Sequence, residues 1–118
     1  MGITDAFAGI AVTDHGSAAA WYERLLGRPP DMRPHEKESS WRLAENGWLY
    51  VVEDPDRAGR GLLTLLVDDL DAELARVSAR GIEASSTETI PGKVRKAELE
   101  DPDGNRVTLG QPLSQDGN

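Results

Sequence analysis

The sequence carries one pattern twice. With Asp14 set against Asp69, Phe7-Ala-Gly-Ile-Ala-Val-Thr-Asp14 lies on Leu62-Leu-Thr-Leu-Leu-Val-Asp-Asp69. Each copy starts as a short apolar strand and ends in an Asp suited to cap a helix, because its carboxylate can accept from the N–H groups of the first turn. A helix follows in each copy, from His15 to Leu26 and from Leu70 to Arg80. Gly27 and Gly81 close them, at the position where a left-handed backbone ends a helix. Three short strand candidates come after each helix. A unit this small cannot bury its own helix face, so the two copies must share a core. The expected fold is α+β, built from tandem βαβββ modules.

The details fill this frame. Ala18, Tyr22 and Leu25, with Trp21 and Leu26, form one apolar helix face, and core packing accounts for both aromatics. Arg28-Pro29-Pro30 forces an extended exit. Asp31 to His35 reads as an edge strand broken by Pro34. Ser39 to Ala44 and Trp48 to Glu53 read as a hairpin around Glu45-Asn46-Gly47, with Asn-Gly supplying positive φ. Leu62 to Val67 is almost wholly apolar, so it is expected to be buried on both faces. Leu70, Leu74 and Val77 recur at helical spacing, with Glu73 and Arg76 on the wet side. Ile82 to Ala84 reads as a short strand and Ser85 to Gly92 as a polar loop, a candidate lid. Asp101-Pro102-Asp103-Gly104-Asn105 suits a type I turn, joining strands from Lys93 to Glu100 and from Arg106 to Leu109. The chain therefore reads as a single domain over 1–118. The first module spans 6–53, the linker 54–61, the second module 62–111 and a disordered tail 112–118.

Composition narrows the function. The formal net charge of -8 disfavours nucleic acid, whose phosphates need Lys and Arg. No apolar run is long enough to span a membrane, and no basic-then-apolar leader is visible. The absence of cysteine excludes disulfides and thiolate metal sites and fits a reducing, cytoplasmic setting. The expected partner is a small molecule.

The duplicated βαβββ, Ile10-Ala-Val-Thr-Asp14, Trp21-Tyr22-Glu23-Arg24-Leu25-Leu26-Gly27, Val67-Asp68-Asp69-Leu70 and Asp101-Pro102-Asp103-Gly104-Asn105 together resemble the vicinal-oxygen-chelate superfamily. That superfamily includes glyoxalase I, bleomycin-resistance proteins and extradiol dioxygenases, and the resemblance covers about residues 6 to 111. It implies two curved sheets with helices on the convex side, a cleft on the concave side, and a homodimer whose clefts are often built between chains.

The resemblance also implies where a divalent metal would sit in catalytic members. Those positions fall on Phe7, Leu62, Thr108 and a residue near Tyr50 or Val52. None is a carboxylate or an imidazole, so no metal and no cofactor is expected. The two histidines, His15 at a helix start and His35 after a proline, read as solvated. In place of the cation site stands an aromatic set. Phe7, Gly9 and Ala11 share a face, as do Leu62, Thr64 and Leu66, and as do Trp48, Tyr50 and Val52. Trp41 is expected across the hairpin from Trp48. Burial in a core or interface and a wall for a flat ligand both suit Trp41 and Trp48. The leading expectation is metal-free sequestration of a planar compound, with an acidic surface that favours a cation. The expected ligand-binding residues are Phe7, Gly9, Trp41, Trp48, Tyr50, Leu62, Thr64, Arg106 and Thr108, and no catalytic residue is assigned. The alternative is a lyase, isomerase or dioxygenase that uses a relocated site or acid–base chemistry from Glu98 or Glu100.

Overall fold

A computed structural model of the chain describes residues 2–113. The first module runs β1 (Ala6–Val12), α1 (His15–Leu26), β2 (Met32–His35), β3 (Glu38–Ala44) and β4 (Gly47–Glu53). The second runs β5 (Leu62–Leu66), α2 (Leu70–Ala79), β6 (Ser86–Ile90), β7 (Val94–Glu100) and β8 (Arg106–Pro112). Each forms a four-stranded mixed sheet, in the orders β1-β4-β3-β2 and β5-β8-β7-β6. This is the α+β architecture of paired βαβββ modules. The expected disordered tail lies, from residue 114 onward, outside the described residues.

The helix ends follow from local chemistry. Asp14 and Asp69 sit in extended backbone and accept from the N–H groups of Ser17 and Ala72, at 2.9 and 3.1 Å. Gly27 closes α1 at φ 79°, and its N–H donates to the Glu23 carbonyl. Arg80 of the second module then donates to the carbonyls of Arg24 and Leu25, so a side chain of α2's end caps α1.

One core serves both modules. Ile10, Val12, Leu49, Val51, Leu63, Leu99, Val107 and Leu109 turn inward from the sheets against Ala18, Trp21, Tyr22 and Leu25 of α1 and Leu70 and Val77 of α2. Only one face of each sheet is used, since strand side chains alternate.

The turn at 101–105 bolts the modules together. Asp101 Oδ1 accepts from the N–H groups of Asp103 and Asn105, both at 2.9 Å, which shapes the turn itself. Its Oδ2 accepts from Asn105 Nδ2 at 2.8 Å and from the Tyr22 hydroxyl at 2.9 Å. Asn105, fully buried, also donates to the Ala11 carbonyl of β1 and accepts from the Gly61 N–H just ahead of β5. Asp103 accepts from the Thr13 backbone and hydroxyl. Burial, and then the Asp101 carboxylate beside it, push the Tyr22 phenol far above its usual range and keep it a donor.

Four expectations need correction. The stretch Leu62 to Val67 is buried on one face only: Leu62 is 78% exposed and Leu66 69%. Its apolar alternation reflects an open face beside a core face, not two core faces. Ser86–Ile90 is a strand, paired antiparallel with β7, while 82–84 is not, so the expected lid is an edge strand of alternating Ser, Thr, Glu and Ile. Gly47 has no positive φ, and it enters β4 while Glu45 and Asn46 make the loop. His15 is buried: its Nε2 lies 2.8 Å from Ser39 Oγ and its N–H donates to Glu53.

Candidate functional site

The sheet faces turned away from the helices are open, and the expected site residues divide between them. In the first sheet the parallel β1–β4 register sets Phe7 beside Trp48, Gly9 beside Tyr50 and Ala11 beside Val52. The Phe7 and Trp48 rings stack with centroids 5.4 Å apart and planes 17° from parallel. Phe7 is nevertheless 51% exposed. An aromatic pair left this open presents a flat π surface to solvent. Tyr50 lies over Gly9, where a Cβ would stand 2.6 Å from the phenol oxygen. The space above the glycine is therefore occupied by Tyr50 and is not free for a ligand. Glycine lets the ring lie flat against the strand.

Trp41 does not join this group. It is fully buried, pairs with Leu49 and donates its indole N–H to the Arg28 carbonyl at 3.0 Å. The cause is a bulge. Ala44 pairs with Gly47, but Arg42 pairs with Trp48, so Leu43 is an extra residue. Regular continuation from the Ala44–Gly47 pair would have brought Trp41 opposite Tyr50. A one-residue slip sends every later side chain to the other face. The bulge puts Arg42 across from Trp48 and Ser40 across from Tyr50 instead, two residues that sequence reasoning missed. Arg42 is held by the Glu45 carbonyl.

In the second sheet Leu62 neighbours Arg106 and Thr64 neighbours Thr108. Glu98 sits opposite Thr108, with its Oε1 3.6 Å from Arg106 Nε, and Lys96 lies 3.7 Å from Glu88. This face is amphipathic, with paired charges at β7, β8 and β6 and exposed leucines along β5. Phe7, Gly9, Trp48 and Tyr50 thus gather on one sheet, and Leu62, Thr64, Arg106 and Thr108 on the other.

The residues at the positions that the resemblance assigns to a metal do not suit a divalent cation. Phe7 and Leu62 offer carbon, Thr108 a neutral hydroxyl and Tyr50 a phenol laid against Gly9. The carboxylate opposite Thr108, Glu98, is engaged by Arg106. Among the described residues no three His, Asp or Glu side chains gather. His15 is walled in by Ser39, and burial, seconded by Arg33, holds its imidazole below the ordinary value. No helix of the described residues is long and apolar enough to cross a membrane.

Comparison with known proteins agrees with this architecture. A family model described as a glyoxalase-like domain matches residues 8–110. A glyoxalase/bleomycin resistance protein from Catenulispora acidiphila DSM 44928 is 48% identical, with TM-score 0.88 over 92% of this chain and 98% of that one. TnmS3, an antibiotic binding protein from Streptomyces sp. CB03234, is 28% identical, with TM-score 0.75 over 95% of this chain and 98% of that one. A lactoylglutathione lyase from Agrobacterium tumefaciens, at 18% identity and TM-score 0.74 over 89% and 90% of the two chains, shares the fold. A search of curated proteins found no match. With its duplicated modules and a family match over nearly its whole length, this chain belongs to the glyoxalase-like domain family of the vicinal-oxygen-chelate superfamily.

Proposed function

We propose that this protein binds and sequesters a planar small molecule on the aromatic face of its first sheet, without metal and without turnover. The observation that carries the reading is the stacked, half-open Phe7–Trp48 pair, on a sheet face that the core does not use. A flat ligand extends that stack, with Tyr50 as its neighbour and Arg42 at its edge. Arg106 and Thr108 supply polar contacts from the second sheet. The charge of -8 draws a cationic compound toward the surface. The relation to an antibiotic binding protein supports a sequestering role of the same kind. The two half-sites lie on different sheets, and a homodimer that sets the first sheet of one chain against the second sheet of its partner completes the cleft and covers Leu62 and Leu66. The cysteine-free composition suits a cytoplasmic setting.

Tryptophan fluorescence tests this directly. Trp21 and Trp41 are buried, so a planar ligand added to the purified protein should quench or shift the Trp48 component. Trp48→Phe should lose that response. Silence across a panel of planar aromatic compounds, cationic ones included, would overturn the reading.

A further inference from the structure

The chain has two tyrosines, and they stand differently. Tyr22 is buried, and its hydroxyl is engaged by Asp101. Tyr50 is half-buried on the open face of the first sheet, opposite Gly9 in the β1–β4 register. A Cβ at Gly9 would stand 2.4 Å from Tyr50 Cζ, 2.6 Å from its hydroxyl oxygen and 2.9 Å from Cε1. The far end of the ring therefore rests on β1, so Tyr50 reaches across from β4 and carries its hydroxyl over the neighbouring strand. Only glycine leaves room for that pose.

That hydroxyl makes no hydrogen bond within the described residues. Among them no buried side-chain oxygen or nitrogen lacks a partner, so the Tyr50 oxygen is open to solvent. A phenol can donate or accept, and its lone pairs are partly drawn into the ring, so donation is its stronger role. Phe7 and Trp48 form one rung of the open face, and Gly9 and Tyr50 form the next. Two residues along parallel strands separate the rungs by about 6.6 Å. That is the span of a fused two-ring system, so a ring stacked at one rung brings its edge to the hydroxyl at the other. A ligand without an acceptor there strips the hydroxyl of water and gives nothing back.

We propose that Tyr50 is the specificity-determining residue of the aromatic face. Its hydroxyl donates to a neutral acceptor, a ring nitrogen or ring carbonyl, on the edge of a planar ligand stacked at Phe7 and Trp48. Gly9 is the positioning residue that seats the phenol for this contact. The inference rests on the binding proposed for that face and adds the chemistry that the face selects.

The test titrates three probes of one shape into the ¹⁵N-labelled full-length chain at neutral pH, where quinoline is uncharged. Quinoline carries the acceptor, naphthalene lacks it, and N-methylquinolinium replaces it with a fixed charge. The readout is the Trp48 indole N–H signal, assigned by its loss in Trp48→Phe. Quinoline should bind about tenfold more tightly than naphthalene, the worth of one hydrogen bond. Tyr50→Phe should erase that ratio, and so should Gly9→Ala with its circular dichroism native, because the added methyl unseats the phenol. The ratio of N-methylquinolinium to naphthalene involves no acceptor and should be the same in wild type and Tyr50→Phe. Equal affinity for quinoline and naphthalene, a quinoline preference that survives Tyr50→Phe, or loss of both ratios together would overturn the inference and leave the stacking reading standing. The first of these includes the case of a partner subunit already holding the hydroxyl. A Trp48 signal that moves with none of the three probes would overturn the stacking reading and this inference with it.

Discussion

The Tyr22 hydroxyl donates to the Asp101 carboxylate across 2.9 Å, from the helix of one module to the turn of the other. Both groups are buried. Tyr22→Phe leaves Asp101 Oδ2 with Asn105 alone, and the cost should be about 1–3 kcal/mol. Asn105→Ala removes the bonds to Ala11, Gly61 and Asp101 together and should cost more. Urea unfolding followed by circular dichroism measures both. A single cooperative transition is expected in each variant, because the modules share one core.

Trp41 and Trp48 stand seven residues apart on opposite faces and should behave oppositely. Trp41→Ala empties a fully buried site and strips the Arg28 carbonyl of its partner, at a cost of about 3–5 kcal/mol. Trp48→Ala should change stability by under about 1 kcal/mol and abolish ligand binding. Thermal melts and ligand titration separate the two. Acrylamide should quench the wild-type fluorescence only in part, and Trp48→Phe should remove the quenchable fraction.

His15 predicts how stability depends on pH. Burial depresses its folded-state pKa below the ordinary value of about 6.5. Above that value both states are neutral and the stability is intact. As pH falls through it, the unfolded chain takes up a proton that the folded chain resists, so stability declines. Asp14 and Glu53 are also held below the usual range, by backbone N–H groups of Ser17 and His15, and add their losses nearer pH 4. A plot of urea midpoints between about pH 7 and 5 should slope downward, and His15→Gln should flatten it.

Leu62 and Leu66 contribute little to the fold of one chain, being 78% and 69% exposed. Changing both to Lys should leave the far-ultraviolet spectrum and the melting temperature of the chain near wild type. In light scattering the same variant should shift the proposed dimer to monomer. A wild-type protein that is already monomeric would overturn the proposed cleft between chains.

Much of this fold is legible in the sequence because its signals are local. Asp14, Gly27 and Asp69 carry their helix-end chemistry in their own side chains or lack of one, and the duplication shows as paired strings. The failures came where geometry depended on a distant partner. Nothing at Trp41 itself reveals that Leu43 will bulge, yet the bulge decides which face Trp41 occupies. His15 looks solvated beside Asp14 until Ser39 is brought over it. Leu62 to Val67 reads as doubly buried because apolar composition alone cannot distinguish a core face from an exposed one. The Asp101 to Asn105 turn reads as a hairpin connector, and its second role, bridging the modules, appears only once Tyr22 and Ala11 are beside it.

The face that folds the chain and the open face proposed for a ligand are opposite sides of the same strands. Alternate residues along β1, β4, β5 and β8 therefore answer to different demands. Ile10, Val51 and Leu109 are constrained by neighbours on every side, while Phe7, Tyr50 and Thr108 border open space. The open face can therefore be rewritten at every second letter of a strand while the letters between, which hold the core, stay untouched.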